Sequence, residues 1–257
     1  MSHIPSPSKN NRELSDEVTH QATIAHLRDH LPLAVNGTKA STEMVLDVLV
    51  HAAVKGQSIE ASCAELAGSA DSNTLREYVN EAFCEAMLEE VEKRVNEALI
   101  SRLPKKVKKR SQEIVIDIHD QAFYGQSSRL LKYASRGQAK AGTTYFYRIA
   151  TAYLIVQGMR ITLGVIFVHS GMSFAQCIVR LIQQVKAQKI KLGCLFLDRG
   201  FASIEVYRCL QRRRIPAIIA CPIRGKGGGS KALCKGRQSY TSRHTFYSQT
   251  QGNCTTT

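Results

Sequence analysis

The chain has 257 residues with 44% hydrophobic and 22% charged content, enough for one large or two modest domains with a buried core, which excludes a disulfide-stapled miniature. Its 35 Lys+Arg against 21 Asp+Glu give +14 at pH 7, which excludes an ordinary neutral metabolic enzyme as the default and favours a polyanionic partner. The charge is divided: residues 1 to 100 hold 8 Lys+Arg and 16 Asp+Glu, net −8, while residues 101 to 257 hold 27 and 5, net +22.

In chain order, residues 1–12 are polar with no apolar signal-peptide core and read as disordered; no stretch approaches the roughly 20 apolar residues of a spanning helix. The eight cysteines form no C-x-x-C pair, the usage of a reducing compartment, so a cytoplasmic protein is expected. Residues 13–110 read as a helical N-terminal domain ending in a basic linker. Met44 to Val54 is apolar nearly all round, the pattern of a helix inside a bundle. From Asp71, the positions Leu75, Val79, Phe83, Met87, Val91, Val95 and Ala98 predict one long amphipathic helix whose outer face carries Glu77, Glu81, Glu85, Glu89 and Glu92. A helix-turn-helix across Ser58 to Ala67 and the next helix is disfavoured, because so acidic a recognition helix repels phosphate.

Arg102 to Arg110 packs six cations into nine residues. It reads equally as a solvated charge run or as a basic strap, Lys105, Lys106, Lys108, Lys109 and Arg110, against a nucleic-acid backbone. From Glu113 the periodicity changes. Ile114 to His119 reads as a strand interrupted by Asp117, and Thr143 to Val156 pairs with Ile161 to His169 across the turn signal Q-G-M-R. Ser173 and Gln176 make a capping box for a helix with the stripe Phe174, Cys177, Ile178, Leu181, Ile182 and Val185. Cys194 to Leu197 is a strand ending at Asp198, and Ser203 caps a helix whose last turn is Gln211-Arg212-Arg213-Arg214, cations that suit the helix dipole. Pro216 to Pro222 is one more strand. The order β-β-β-α-β-α-β over residues 113–223 is that of a ribonuclease H-like mixed α/β core, with a generic α/β sandwich as the alternative. Residues 224–257 read as a basic flexible tail.

Five carboxylates remain in the basic part: Glu113, Asp117, Asp120, Asp198 and Glu205. Asp117 emerges among Val and Ile, and Asp198 ends a strand at the sheet edge where ligands bind in α/β proteins. If their strands are adjacent, both face one crevice and could seat Mg²⁺ or Mn²⁺, hard ions that prefer oxygen. The alternative is that they cap strand ends or pair with arginines. Asp120 reads as a strand-end residue, and Glu205 as a first-turn residue complementing the helix dipole. Gly225 to Lys231 lacks phosphate-loop order. Cys221, Cys234, His244 and Cys254 fit no zinc spacing, and Tyr145, Tyr147 and Tyr153 read as sheet-face packing.

The segments D-I-H-D-Q-A-F-Y-G (Asp117 to Gly125), R-G-Q-A-K-A-G-T-T-Y-F-Y-R-I-A-T-A-Y (Arg136 to Tyr153) and L-F-L-D-R-G-F-A-S-I-E-V-Y-R-C-L (Leu195 to Leu210) resemble the DDE transposases of prokaryotic insertion sequences, over about residues 113 to 225. The resemblance implies two-metal Mg²⁺ chemistry (Mn²⁺ as substitute), cutting and joining of double-stranded DNA at element ends, and a homo-oligomer on that DNA in a nucleoid-associated setting. It implies no membrane and no small-molecule substrate. By that resemblance Asp117 and Asp198 correspond to the first two acids of the triad. The family's third acid, a Glu, follows the last core strand, whereas this chain has no Asp or Glu after Glu205. A core incomplete at its C-terminus is therefore expected, with no strand cleavage by the chain alone. Arg199, Lys226, Lys231 and Lys235 join the basic strap as candidate phosphate contacts. A non-catalytic DNA-binding regulator of transposition and a basic RNA-binding protein are the alternatives.

Overall fold

Ser15, Ser41, Ser58 and Asp71 each turn a side-chain oxygen onto the free N–H groups at a helix start, and these caps set the frame of the N-terminal part. The computed structural model describes residues 15–35, 37–125, 133–223, 229–234 and 240–256. The segment 1–12, expected to be disordered, lies outside them. The chain divides into two units, Met1–Ala98 and Leu99–Thr257.

The first unit contains α1 (Asp16–His30), α2 (Thr42–Lys55), α3 (Ile59–Glu65) and α4 (Ser72–Ala82), and α5 (Leu88–Ser101) carries the chain into the second. Val45, Leu46, Val48 and Leu75 are its most buried apolar side chains, with Ile24, Leu33 and Ala40 around them. The last turn of α2 departs from the all-round burial expected: Val54 is 78% exposed, just before the left-handed Gly56 that ends the helix. The single helix expected from Asp71 is also broken. Phe83 and Cys84 leave helical geometry, and a short 3₁₀ turn over Glu85–Met87 precedes α5. Glu77, Glu81, Glu85 and Glu89 would stand at i,i+4 spacing along one face of a continuous helix, where like charges repel. The break separates Glu81 from Glu85, while Phe83 packs against the core of this unit.

The second unit opens with α6 (Lys105–Lys109) and β1 (Ser111–Ala122). The basic segment belongs here because Val107 is buried and Leu103 packs in the same core. Next come β2 (Ser135–Lys140), β3 (Thr143–Val156), β4 (Met159–Val168), α7 (Phe174–Ala187), β5 (Lys191–Leu197), α8 (Ile204–Arg212) and β6 (Ala217–Ile219). The sheet runs β2-β3-β1-β5-β6, with β4 also paired to β3. One edge of β3 is shared, β2 taking Tyr145 and Phe146 and β4 taking Arg148 to Val156. Strands β1, β3 and β4 are antiparallel neighbours, whereas β5 and β6 add in parallel. This is the ribonuclease H-like order, reached through the helices α7 and α8, with β2 as an added strand. Gln157 and Gly158, both at positive φ (52° and 79°), make the two-residue turn between β3 and β4.

Alternation along the strands separates two faces. Ile114, Ile116, Ala150, Ala152, Leu154, Ile166, Leu195 and Leu197 face α7 and α8, which contribute Cys177, Ile178, Leu181, Val185, Val206 and Leu210 to one core. Burial there pushes the Cys177 thiol up to about 11. Its native form therefore holds a proton that the unfolded thiol releases near 9, so this group subtracts stability as pH rises between those values. At pH 8, iodoacetamide should alkylate the exposed Cys84, Cys221 and Cys234 of the native chain and leave Cys177 untouched, as peptide mass spectrometry will read.

The tail expected from residue 224 is not shapeless where it is described. Strands β7 (His244–Ser248) and β8 (Gly252–Thr256) form a hairpin on α8. Arg208 Nη2 donates to the Asn253 carbonyl at 2.8 Å, Gln211 Nε2 to that of Thr255 at 2.7 Å, and Phe246 packs on Tyr207 with ring centroids 4.8 Å apart. These contacts with α8 order a segment too short and polar to announce itself. Among the described residues no helix is long and apolar enough to cross a membrane.

Candidate functional site

The sheet face opposite α7 and α8 carries Val115, Asp117 and His119 of β1 beside Ile149, Thr151 and Tyr153 of β3 and Phe196 of β5. Ile116 pairs with Leu197 across the parallel β1–β5 ladder, so the next position aligns Asp117 with Asp198. Asp198 keeps an extended backbone (φ −73°, ψ 177°) and follows the inward Leu197, which puts it on the same face as Asp117. Neighbouring strands lie about 4.8 Å apart, a spacing that lets two carboxylates approach one ion.

The two acids are held differently. Asp117 is half-buried, and among the described residues its side chain has no hydrogen bond and no ion pair. Asp198 is exposed and caps the short turn Arg199–Phe201, its Oδ1 accepting the Gly200 N–H at 2.9 Å. A Cβ on residue 200 would lie 3.1 Å from that oxygen, so the close approach favours glycine. Phe201, only 1% exposed, anchors the turn against Phe174. Among the described residues neither acid is paired with an arginine. Asp120 is: Arg148, its cross-strand partner, donates Nε to Oδ1 at 2.9 Å and Nη2 to the Arg136 carbonyl at 3.2 Å, tying β2 to the sheet. Glu205 sits in the first turn of α8 and its Oε1 accepts from the Ser173 hydroxyl.

Sequence reasoning missed Arg160. It stacks over the Tyr153 ring at 3.8 Å and donates Nη2 to Thr151 Oγ1 at 3.0 Å, and Thr151 is the cross-strand partner of Asp117. A fixed guanidinium thus lies on the face of the two acids. Its only signal was a place in the turn segment Q-G-M-R. Tyr145 and Tyr147 pack against Arg136 and Phe123, respectively.

Lys105, Lys108, Lys109 and Arg110 are exposed in and after α6, and Arg199 and Lys231 are exposed as well. Lys226 and Lys235, and the side chain of Lys106, lie outside the described residues. Among the described residues no group of three His, Cys, Asp or Glu side chains is placed to hold a metal ion. The donor set is therefore two carboxylates. Mg²⁺ is commonly held by one or two carboxylates, with water and phosphate oxygens completing its shell, so two carboxylates suit a hard divalent ion whose other positions are filled from outside the protein.

No family model and no curated protein matches the chain. Among solved structures it is similar to the piggyBac transposase synaptic complex with hairpin DNA, at 13% identity and a TM-score of 0.45, covering 91% of this chain and 54% of that one. It is also similar to the Drosophila P element transposase strand transfer complex, at 9% identity and a TM-score of 0.37, covering 76% and 42%. The chain thus spans about half the length of these proteins.

Proposed function

We propose that the chain is a DNA-processing protein of the transposase type, derived from an insertion sequence, which grips double-stranded DNA and holds a divalent ion between Asp117 and Asp198. The observation that carries this reading is the β1–β5 register, whose continuation past the Ile116–Leu197 pair aligns two acids far apart in the sequence, within its strongly basic part. Bound there, Mg²⁺ or Mn²⁺ would supply Lewis-acid activation of a phosphodiester.

The protein's own groups have separate tasks. Asp117, lacking a partner among the described residues, is available as an ion ligand. Asp198 offers its Oδ2 while Oδ1 is oriented by Gly200. Arg160, held by Tyr153 and Thr151, presents a guanidinium to a phosphate approaching that face. Lys105, Lys106, Lys108, Lys109 and Arg110 extend the basic track, with Arg199, Lys226, Lys231 and Lys235 as further contacts. Two acids hold an ion less completely than three, so the chain by itself binds DNA ends without cutting them, as a homo-oligomer on that DNA. The test is duplex binding with and without Mn²⁺, repeated with Asp117→Asn and Asp198→Asn. Divalent-stimulated binding lost in both variants supports the reading. Metal-independent binding unchanged by both favours a DNA-binding regulator without a metal site, and robust cleavage by the unsubstituted chain overturns the non-cutting part.

A further inference from the structure

A cleft of about 940 Å³ opens among α7, α8 and the turn of the β7–β8 hairpin, on the helical side of the sheet and so away from Asp117 and Asp198. Its lining brings together Arg180 of α7 and Arg208, Arg212 and Arg213 of α8 and its C-cap, against the single carboxylate Glu205. Glu205 already accepts a hydrogen bond from Ser173, and Arg208 is aimed by its bond to the Asn253 carbonyl. Arg212 and Arg213 are exposed, and among the described residues their side chains have no hydrogen bond or ion pair.

The helix dipole explains a cation in the last turn of α8. It explains neither Arg180, which stands on a different helix, nor the concavity. No large apolar side chain in the lining is exposed, so the cleft lacks the anchors of a membrane or protein-docking surface. Guanidinium groups pair bidentately with phosphate oxygens, and the cleft is large enough for a stretch of backbone rather than a single anion. We propose that it seats the phosphodiester backbone of duplex DNA, giving the core a second DNA-binding side. The choice of DNA rests on the reading above; the cleft itself is independent of the two acids.

The test is anisotropy titration of a fluorescein-labelled duplex with the full chain across a range of salt. Each lost phosphate contact lowers the slope of log K against log[salt] by about 0.9. Arg212→Gln/Arg213→Gln should lower it by about 2 and weaken binding roughly tenfold at physiological salt. Adding Arg180→Gln should deepen both effects. The double variant touches only exposed side chains, and an unchanged thermal melt will show that it folds. Unchanged slope and affinity in the folded double variant would overturn the proposal. So would absence of duplex binding by the unsubstituted chain, or tighter binding of polyglutamate or single-stranded RNA than of the duplex. If the metal reading alone fails, the arginine effect persists while the Asp117 and Asp198 variants keep the divalent response; if the cleft alone fails, the converse pattern appears.

Discussion

If Asp117 and Asp198 hold a divalent ion as proposed, Mn²⁺ should raise the melting temperature of the unsubstituted chain, and Asp117→Asn and Asp198→Asn should each abolish that rise. At an ion concentration ten times Kd, binding only to the folded form stabilises it by about 1.4 kcal/mol, about 3–6 °C for a unit of this size. Asparagine is the informative substitution. It keeps the shape and, at residue 198, an oxygen that can still accept the Gly200 N–H, so turn geometry survives while one charge is lost. Without metal, either variant should melt at about the parent's temperature, because among the described residues Asp117 has no hydrogen bond or ion pair to lose and asparagine at 198 still accepts the Gly200 N–H. A merely structural pair of acids gives another pattern: both variants melt lower without metal, and the Mn²⁺ shift survives. Differential scanning fluorimetry at several ion concentrations separates the two.

Leu195→Ala should be among the most damaging single changes in the second unit. Leu195 is fully buried on β5, flanked by Ile114 in the ladder on one side and Ala217 on the other. Removing its side chain loses transfer energy and leaves a cavity, together about 3 kcal/mol in a close-packed interior. For a unit of this size the melting temperature falls by about 6–12 °C. Ile218→Ala on the adjacent strand provides the contrast, since Ile218 is 58% exposed and its truncation should move the melt by a degree or so. Equal losses from the two substitutions would mean that the exposed face is covered in solution.

What could be read from the sequence followed physical signal strength. Strands β1, β3, β4 and β5 carry apolar residues at alternate positions, and α7 and α8 carry serine caps and a continuous stripe, so their types and order were legible. β2 was not, because Ser-Arg-Gly-Gln-Ala-Lys has no alternation to show. It is held by its ladder to β3, by Arg148 on the Arg136 carbonyl and by Gly137 lying against Phe146. The β7–β8 hairpin was missed for the same reason: its order comes from Arg208, Gln211 and Tyr207 of a distant helix. The break after Ala82 was hidden behind an unbroken apolar period, because periodicity does not register repulsion between successive glutamates. Asp117 and Asp198 stood out as lone carboxylates in a basic, apolar setting. Their alignment and the placing of Arg160 beside them depend on register and turn geometry that no local pattern encodes.

The parallel pairing of β1 with β5 also dictates when the two acids meet. β3 and β4 close through a two-residue turn, a contact any chain makes early, whereas β1 and β5 must close a loop of some eighty residues before their ladder rewards the lost entropy. Pulse-labelled hydrogen exchange during refolding should therefore protect the amides of residues 149–154 before those of 194–197. A nascent or half-assembled chain then has sheet in which Asp117 and Asp198 are still apart, so the ion seat proposed above would arise only with the final closure of the fold.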